Sequence, residues 1–389
     1  MNGKRQIRLT YEGALYAVVL LAVLVGATAR QLNLLMLMGA MLVGPFLFSL
    51  IYGRVALKRL LVKRVLPDHL RSDQRLTVEV QLVNTRRWLR LWSIRADDRI
   101  TRESATLGDV PIAGISVYVP TIGRHESGRA SYHGFLSARG RYHFGPLRVS
   151  TRFPLGLIRH AVMVGELDSL IVHPRLGRLT RELGQVVRES AAGAQRLRRG
   201  LLEADFYGLR DWRAGDSRRW IHWRTSARRG ELVVRQFEQR RNQDLAVMVD
   251  LWQPARASDQ DQRAVEQAVS FAATLIAEAC SQPGRQVILH VAALSPLDRA
   301  GAATPTFFRE QMDALAVIEP HADDQLPDSL PLALARVGPG VPTIVISTRP
   351  LTADKLESTA TRNDVVLSGR KMRIFDVTSP DLARFYLDS

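Results

Sequence analysis

The chain has 389 residues, enough for two or three domains, and its 46% apolar and 24% charged residues exclude a disordered polymer. One cysteine, Cys280, excludes an intramolecular disulfide framework and a cysteine-rich zinc site, and it fits a reducing compartment. The formal charge of +16 divides into net +8 over residues 1–64, +8 over 65–207, +6 over 208–241 and −6 over 242–389. A basic front half is thus joined to an acidic back half. The basic residues are scattered through β-type segments and form no aromatic-interleaved RNA motif, which favours membrane proximity over nucleic acid as their reason.

Residues 11–29 form an apolar run broken only by Glu12, and 32–52 form a second. Each approaches the ~20 residues a helix needs to cross a bilayer core. Lys4, Arg5 and Arg8 precede the first run, Arg54, Lys58, Arg59, Lys63 and Arg64 follow the second, and only Arg30 lies between. The positive-inside rule then predicts a hairpin of two transmembrane helices in the inner (cytoplasmic) membrane, with both flanks and the rest of the chain cytoplasmic. A cleaved signal peptide fits less well, because a second span and a basic stop follow the first run.

From 65 to 176 the apolar period changes to two. Leu76, Val78, Val80 and Leu82 alternate with Thr77, Glu79 and Gln81, as in a half-buried strand. Further strands are predicted at 89–95, 115–119, 129–136, 140–149 and 169–173, separated by Gly, Pro and Ser, which suggests a small antiparallel β-sandwich. Residues 177–207 read as a linker or surface helix.

Residues 208–241 hold three of the six tryptophans (Trp212, Trp220, Trp223) and ten arginines against four acids. Guanidinium groups stack on indoles and pair with carboxylates, so Asp216, Arg219, Trp220, His222, Trp223, Arg228 and Arg235 are the candidate residues of a structural belt or a partner surface. Such density predicts that Trp223 is largely buried, with Arg228 or Arg235 against its face or paired to an acid. Residues 231–238 alternate as an edge strand. A grouping of Ser226, His222 and Asp216 can be drawn, but a triad is a matter of spatial geometry, not of sequence proximity.

Beyond 244, strands at 245–251, 286–292, 342–347 and 371–377 alternate with helices at 262–280, 307–318, 353–360 and 380–387. This predicts a mostly parallel, doubly wound sheet covered on both faces, whose ligands bind beyond the carboxyl ends of the strands. Asp250 ends the first strand. That placement resembles the first residue of the DxSxS metal site of von Willebrand A-type domains, where oxygen ligands hold a hard cation. Here Trp252 and Pro254 occupy the two serine positions and supply no hydroxyl, so the metal site is degenerate. Thr348, after a later strand, could face the same edge. There is no histidine pattern for zinc, no GxxxxGK[ST] loop and no GxSxG elbow, and no cofactor is expected.

The segment GDSRRWIHWRTSARRGELVVRQFE (215–238) resembles the signature of domain-of-unknown-function family 58, roughly G-D-x-x-R-x-I-x-W-x-x-[ST]-A-R-x-x-x-L-x-V-R-x-[FY]-E. Gly215, Asp216, Arg219, Ile221, Trp223, Ser226, Ala227, Arg228, Leu232, Val234, Arg235, Phe237 and Glu238 all fit it. The hairpin, the GRYHFGPLRV and FPLGL segments and the back half are similar to that family too. The resemblance implies a transmembrane hairpin (1–64), a β-rich domain (65–176) and, after 177–207, the signature stretch with a von Willebrand A-like α/β domain (208–389). It also implies a MoxR-like AAA ATPase as partner, with a transglutaminase-like membrane protein as another, and no particular reaction. The resulting expectation is a non-enzymatic, cytoplasm-facing interaction or scaffold protein in envelope maturation or stress response. The alternatives are a basic, membrane-associated nucleic-acid-binding protein and a metal-dependent enzyme.

Overall fold

A computed structural model describes residues 5–30, 33–105, 108–165, 167–183, 206–213, 218–237, 244–281, 285–338, 341–362 and 372–387. The chain divides into two compact units, Met1–Pro174 and Arg175–Ser389.

The first unit contains β1 (Arg5–Leu9), helices α1 (Tyr11–Arg30) and α2 (Asn33–Ala56), and strands β2 (Leu60–Val65), β3 (Leu70–Arg71), β4 (Arg75–Asn84), β5 (Leu91–Arg102) and β6 (Val110–Ile122). It continues through β7 (Ser127–Phe135), β8 (Gly140–Phe144), β9 (Leu147–Thr151), β10 (Ile158–Val164) and β11 (Asp168–His173). The two apolar segments, 19 and 27 residues with mean hydropathies of 1.9 and 2.3, are long and apolar enough to cross a membrane. The Tyr16 hydroxyl donates to the Leu42 carbonyl at 2.8 Å and ties the two helices together. The hairpin is also tied to the β-strands. β1 pairs antiparallel with β10, and Gly53 of α2 lies so close to the His160 ring that any Cβ there would collide with it.

The strands form an eight-stranded sheet, β1-β10-β9-β5-β8-β11-β3 with β6 on β5, and a three-stranded sheet, β2-β4-β7. The predicted alternation holds in β4, where Leu76, Val78, Val80 and Leu82 are all buried. The segment predicted as one strand over 140–149 is two, β8 and β9, interrupted at Gly145–Pro146. Both sheets contribute to a single apolar core. One buried polar cluster crosses it. Arg64 of β2 donates to Asp98 of β5 from Nε at 3.0 Å and Nη2 at 2.7 Å, and the Tyr132 hydroxyl of β7 donates to the same carboxylate at 2.7 Å. Burial, with the Asp98 carboxylate next in weight, holds the Tyr132 phenol well above its ordinary pKa.

In the second unit, β15 (Leu245–Asp250), β16 (Gln286–Ala292), β17 (Leu297–Ala302), β18 (Thr343–Ser347) and β19 (Met372–Asp376) form a sheet of order β17-β16-β15-β18-β19, after β12 (Arg178–Leu179), β13 (Phe206–Asp211) and β14 (Val233–Phe237). All pairings in the sheet are parallel except that of β17. The period of two decides what covers it. Leu245, Val247 and Val249 join one apolar cluster with α4 (Asp259–Cys280) and α5 (Pro305–Val317). Ala246 and Met248 join another with α6 (Ser329–Arg336) and α7 (Ala353–Arg362). Ser258 caps α4 reciprocally with Asp261.

Within the five-stranded sheet and the helices that cover it, two elements escaped the sequence reading. β17, LDRAGA, is a polar antiparallel edge with no buried residue, and α6 is only 8 residues long. The helix predicted over 380–387 is instead a 3-10 turn, Pro380–Arg384, and a short strand β20 (Tyr386–Leu387) paired with β12. Its side chains explain the correction. Tyr386 is buried against Phe271, 4.9 Å between centroids, and its hydroxyl lies 2.6 Å from that of Ser270. Of the expected linker or surface helix, β12 and the buried Leu183 belong to the folded unit; residues 184–205 lie outside the described residues.

Candidate functional site

The first candidate is the carboxyl edge of the α/β sheet. Asp250 is fully buried there. Parallel pairing places it level with Ser347 at the end of β18, and the Ser347 hydroxyl donates to Oδ2 at 3.1 Å. Arg349, two residues on, donates to the same oxygen from Nε at 2.8 Å and to Oδ1 from Nη2 at 3.3 Å. His321 Nε2 lies 3.1 Å from Oδ1. Burial alone would raise the Asp250 pKa. The hydrogen bonds from His321 and Arg349, with the arginine's charge, outweigh it and hold the carboxyl below its ordinary range. The remaining guanidinium donors reach the carbonyls of Asp323, Asp324 and Gln325 at 2.8–3.2 Å. Trp252 lies against Arg349, whose Cζ is 5.5 Å from the ring centroid. Thr348 does sit at this edge. Its hydroxyl donates to the Trp252 carbonyl at 2.6 Å and accepts from the Trp252 amide at 2.9 Å.

Both carboxylate oxygens therefore already accept from protein groups, and the charge is matched by an internal guanidinium. The arrangement locks the ends of β15 and β18 to the 321–325 segment. Among the described residues, no group of three or more His, Cys, Asp or Glu is placed to hold a metal ion. The sequence reading missed Ser347, Arg349 and His321. The first two were within reach, since residues at the ends of adjacent parallel strands face one edge. His321 comes from a loop, joined by an isolated bridge to Trp252, and no local pattern marks it.

The second candidate is the signature stretch. β13 and β14 form an antiparallel hairpin. It carries a 3-10 turn, Arg218–Trp220, and a short helix α3 (Trp223–Arg229). (In chain order this helix precedes α4.) Its framework is built from small and β-branched residues. Ile221, Val233 and Val234 are buried, and Ser226 Oγ accepts from the Val233 amide at 2.9 Å. His222 caps α3, its Nδ1 accepting from the Thr225 amide at 3.2 Å. Gly230 closes the helix in the left-handed region, φ 74°, its amide donating to the Ser226 carbonyl at 2.9 Å.

The aromatic residues are placed otherwise than expected. Trp223 is 66% exposed and Trp220 45%, so the expectation of a buried Trp223 is overturned. The hairpin fills its own interior with Ile221, Ser226, Val233 and Val234, and the indoles turn outward. Arg228 is exposed on the last turn of α3, beside exposed Arg224 and Arg229. Arg219 lies in the 3-10 turn and Arg235 in β14. Asp216 lies outside the described residues, and with it the drawn grouping of Ser226, His222 and Asp216. Both Ser226 and His222 are engaged in backbone contacts of the hairpin.

Apolar N-terminal helices, a β-rich unit and a mixed-sheet α/β unit define the class: a modular protein with two potential membrane spans. Within that class, residues 208–306 match the family described as "Protein of unknown function DUF58". A relative from Bacillus subtilis (strain 168), "Uncharacterized protein YeaD", is 28% identical over 146 residues, 38% of this chain and 35% of the relative. The match thus spans about a third of that protein's length. Among solved structures, a Paenibacillus sp. cycloisomaltooligosaccharide glucanotransferase shares 16% identity over 36% of this chain and 18% of its own, with a TM-score of 0.21. The sporulation control protein Spo0M of Bacillus subtilis shares 11% over 39% of this chain and 57% of its own, with a TM-score of 0.20. Likenesses this low carry no argument about this chain.

Proposed function

We propose that this is a membrane-anchored, non-enzymatic interaction protein whose signature hairpin presents a tryptophan–arginine surface to a protein partner. The observation that carries the reading is the outward placement of Trp220 and Trp223 on a hairpin whose interior is already filled. Exposed aromatic residues beside arginines make binding hot spots, and a framework fixed by Ser226, His222 and Gly230 lowers the cost of ordering them on binding. By family resemblance the partner is a MoxR-like AAA ATPase, with a transglutaminase-like membrane protein as a second, and the role is in envelope maturation or stress response. α1 and α2 are the anchor, and the basic flanks favour the inner membrane with both units cytoplasmic. The α/β unit is von Willebrand A-like in this reading, with the Asp250–Arg349 pair standing where a cation would.

The test is capture of a MoxR-type ATPase from the same organism by the detergent-solubilised full chain. Trp223→Ala and Arg228→Ala are expected to abolish capture and to change stability by less than about 0.5 kcal/mol, as is usual for exposed positions. Unaltered capture by both variants would overturn the proposed surface.

A further inference from the structure

Within the first unit, the end of α2 meets an open cavity of about 510 Å³, lined by Phe48, Ile51, Tyr52 and Val55 of the helix and by Trp88, Leu89, Arg90, Trp92, Arg124 and Phe153 of the β-strands and their loops. We propose that it binds one anionic phospholipid, with an acyl chain along α2 and the headgroup phosphate on Arg90 and Arg124. This rests on the reading of α1 and α2 as membrane spans.

Three features converge on that ligand. The floor is apolar and continuous with the outward face of the helix, since Phe48 and Ile51 are 53% and 59% exposed. The wall is an aromatic collar of the kind that sits at headgroup level. Trp92 stacks on Phe153 at 5.8 Å and 16°, Phe153 packs on Tyr52 at 4.9 Å, and Trp88 is 63% exposed. The rim is cationic. Arg90 and Arg124 are exposed and line the cavity, and among the described residues neither side chain makes an ion pair. Arg86, stacked over Trp88 at 5.5 Å, adds a third positive charge behind the collar. No acidic residue lines the cavity; Glu126, on the same turn as Arg124, lies outside the lining.

The site is also pre-shaped. The Tyr52 hydroxyl donates to the Arg90 carbonyl at 3.1 Å and accepts from the Trp92 amide at 3.0 Å. One side chain of the second helix thereby fixes the end of the loop that carries the arginine and the start of β5 that carries the indole. A zwitterionic lipid would satisfy the floor and the collar. A lipid with net negative charge also matches the two guanidinium groups of the rim, with no headgroup cation to set against them.

The experiment uses the full chain reconstituted into phosphatidylcholine vesicles that contain, at equal low mole fraction, either brominated phosphatidylglycerol or brominated phosphatidylcholine. The readout is quenching of tryptophan fluorescence. Wild type is expected to be quenched preferentially by the anionic lipid. Arg90→Gln with Arg124→Gln is expected to lower that preference by about 10- to 30-fold with melting unchanged, whereas Arg129→Gln, an exposed arginine outside the cavity, leaves it intact. The signal is assigned with Trp88→Phe and Trp92→Phe together, and a preference that survives them arises elsewhere and overturns the proposal. Equal quenching by both lipids overturns the anionic site while leaving the spans in place. A chain that alkaline carbonate releases from the vesicles instead overturns the membrane reading itself.

Discussion

Asp250 is an acidic strand end whose charge is met wholly by the protein's own donors. The carboxylate draws its donors from Ser347, Arg349 and His321. A buried ion pair is a weak net stabiliser, but removing one partner strands the other charge in a dry site at a cost of about 3–5 kcal/mol. Arg349→Met and Asp250→Asn are therefore each expected to destabilise the α/β unit by that order, and the two changes together by less than their sum, as denaturant melts of the wild type and the three variants would show. The pH dependence has a definite sign. The folded-state pKa of Asp250 lies below its ordinary value. Its stabilisation is complete above the usual carboxylate pKa, near ~4, and is lost as pH falls through the lower folded-state value. Asp250→Asn should remove that contribution and flatten the acid limb of the stability curve. An unaltered acid limb would show that other carboxylates dominate it.

At the scale of elements, the signature hairpin separates residues that build from residues that project. Ser226→Ala leaves the buried Val233 amide without its acceptor and should cost about 1–3 kcal/mol. Gly230→Ala forces a Cβ into the left-handed region at φ 74° and should cost about 1 kcal/mol. Faster amide exchange at Val233 and in α3 is the measurement for both, and Trp223→Ala should leave those rates unaltered. The sequence made this hairpin visible as a motif but could not say which way its tryptophans face. Periodicity reports which positions share a side of an element; it does not say whether another element covers that side. Density of tryptophan and arginine suggested burial, and the short β-branched interior left no room for it. The same limit explains the other misses. Strands with strict alternation, such as β4, and apolar runs such as β15 were legible. The polar edge β17 carries no pattern, and the end of the chain changes course because Tyr386 is drawn onto Phe271. Of the carboxyl-edge site, Asp250 and Thr348 were visible as strand ends, whereas His321 depends on where a loop returns.

On the scale of the whole molecule, the cores belong to separate units. The apolar cluster of the β-rich unit lies wholly within Met1–Pro174, and both clusters of the α/β unit lie within Arg175–Ser389. Each core also has its own buried arginine–carboxylate pair: Arg64 with Asp98 in one, Arg349 with Asp250 in the other. Chains with separate cores depart from a single all-or-none transition, so two calorimetric transitions are expected for the full chain in a bilayer disc. The two pairs offer a way to assign them. Arg64→Met leaves the Asp98 carboxylate buried without its cation, a cost of about 3–5 kcal/mol, which for units of this size lowers a midpoint by about 6–20 °C. It should move only the transition of the β-rich unit, and Asp250→Asn only that of the α/β unit. The double variant should show both displacements, additively, because the sites share no partner. If either substitution moved both transitions equally, the two units would unfold as one cooperative body, and their separate cores would not be separate in energy.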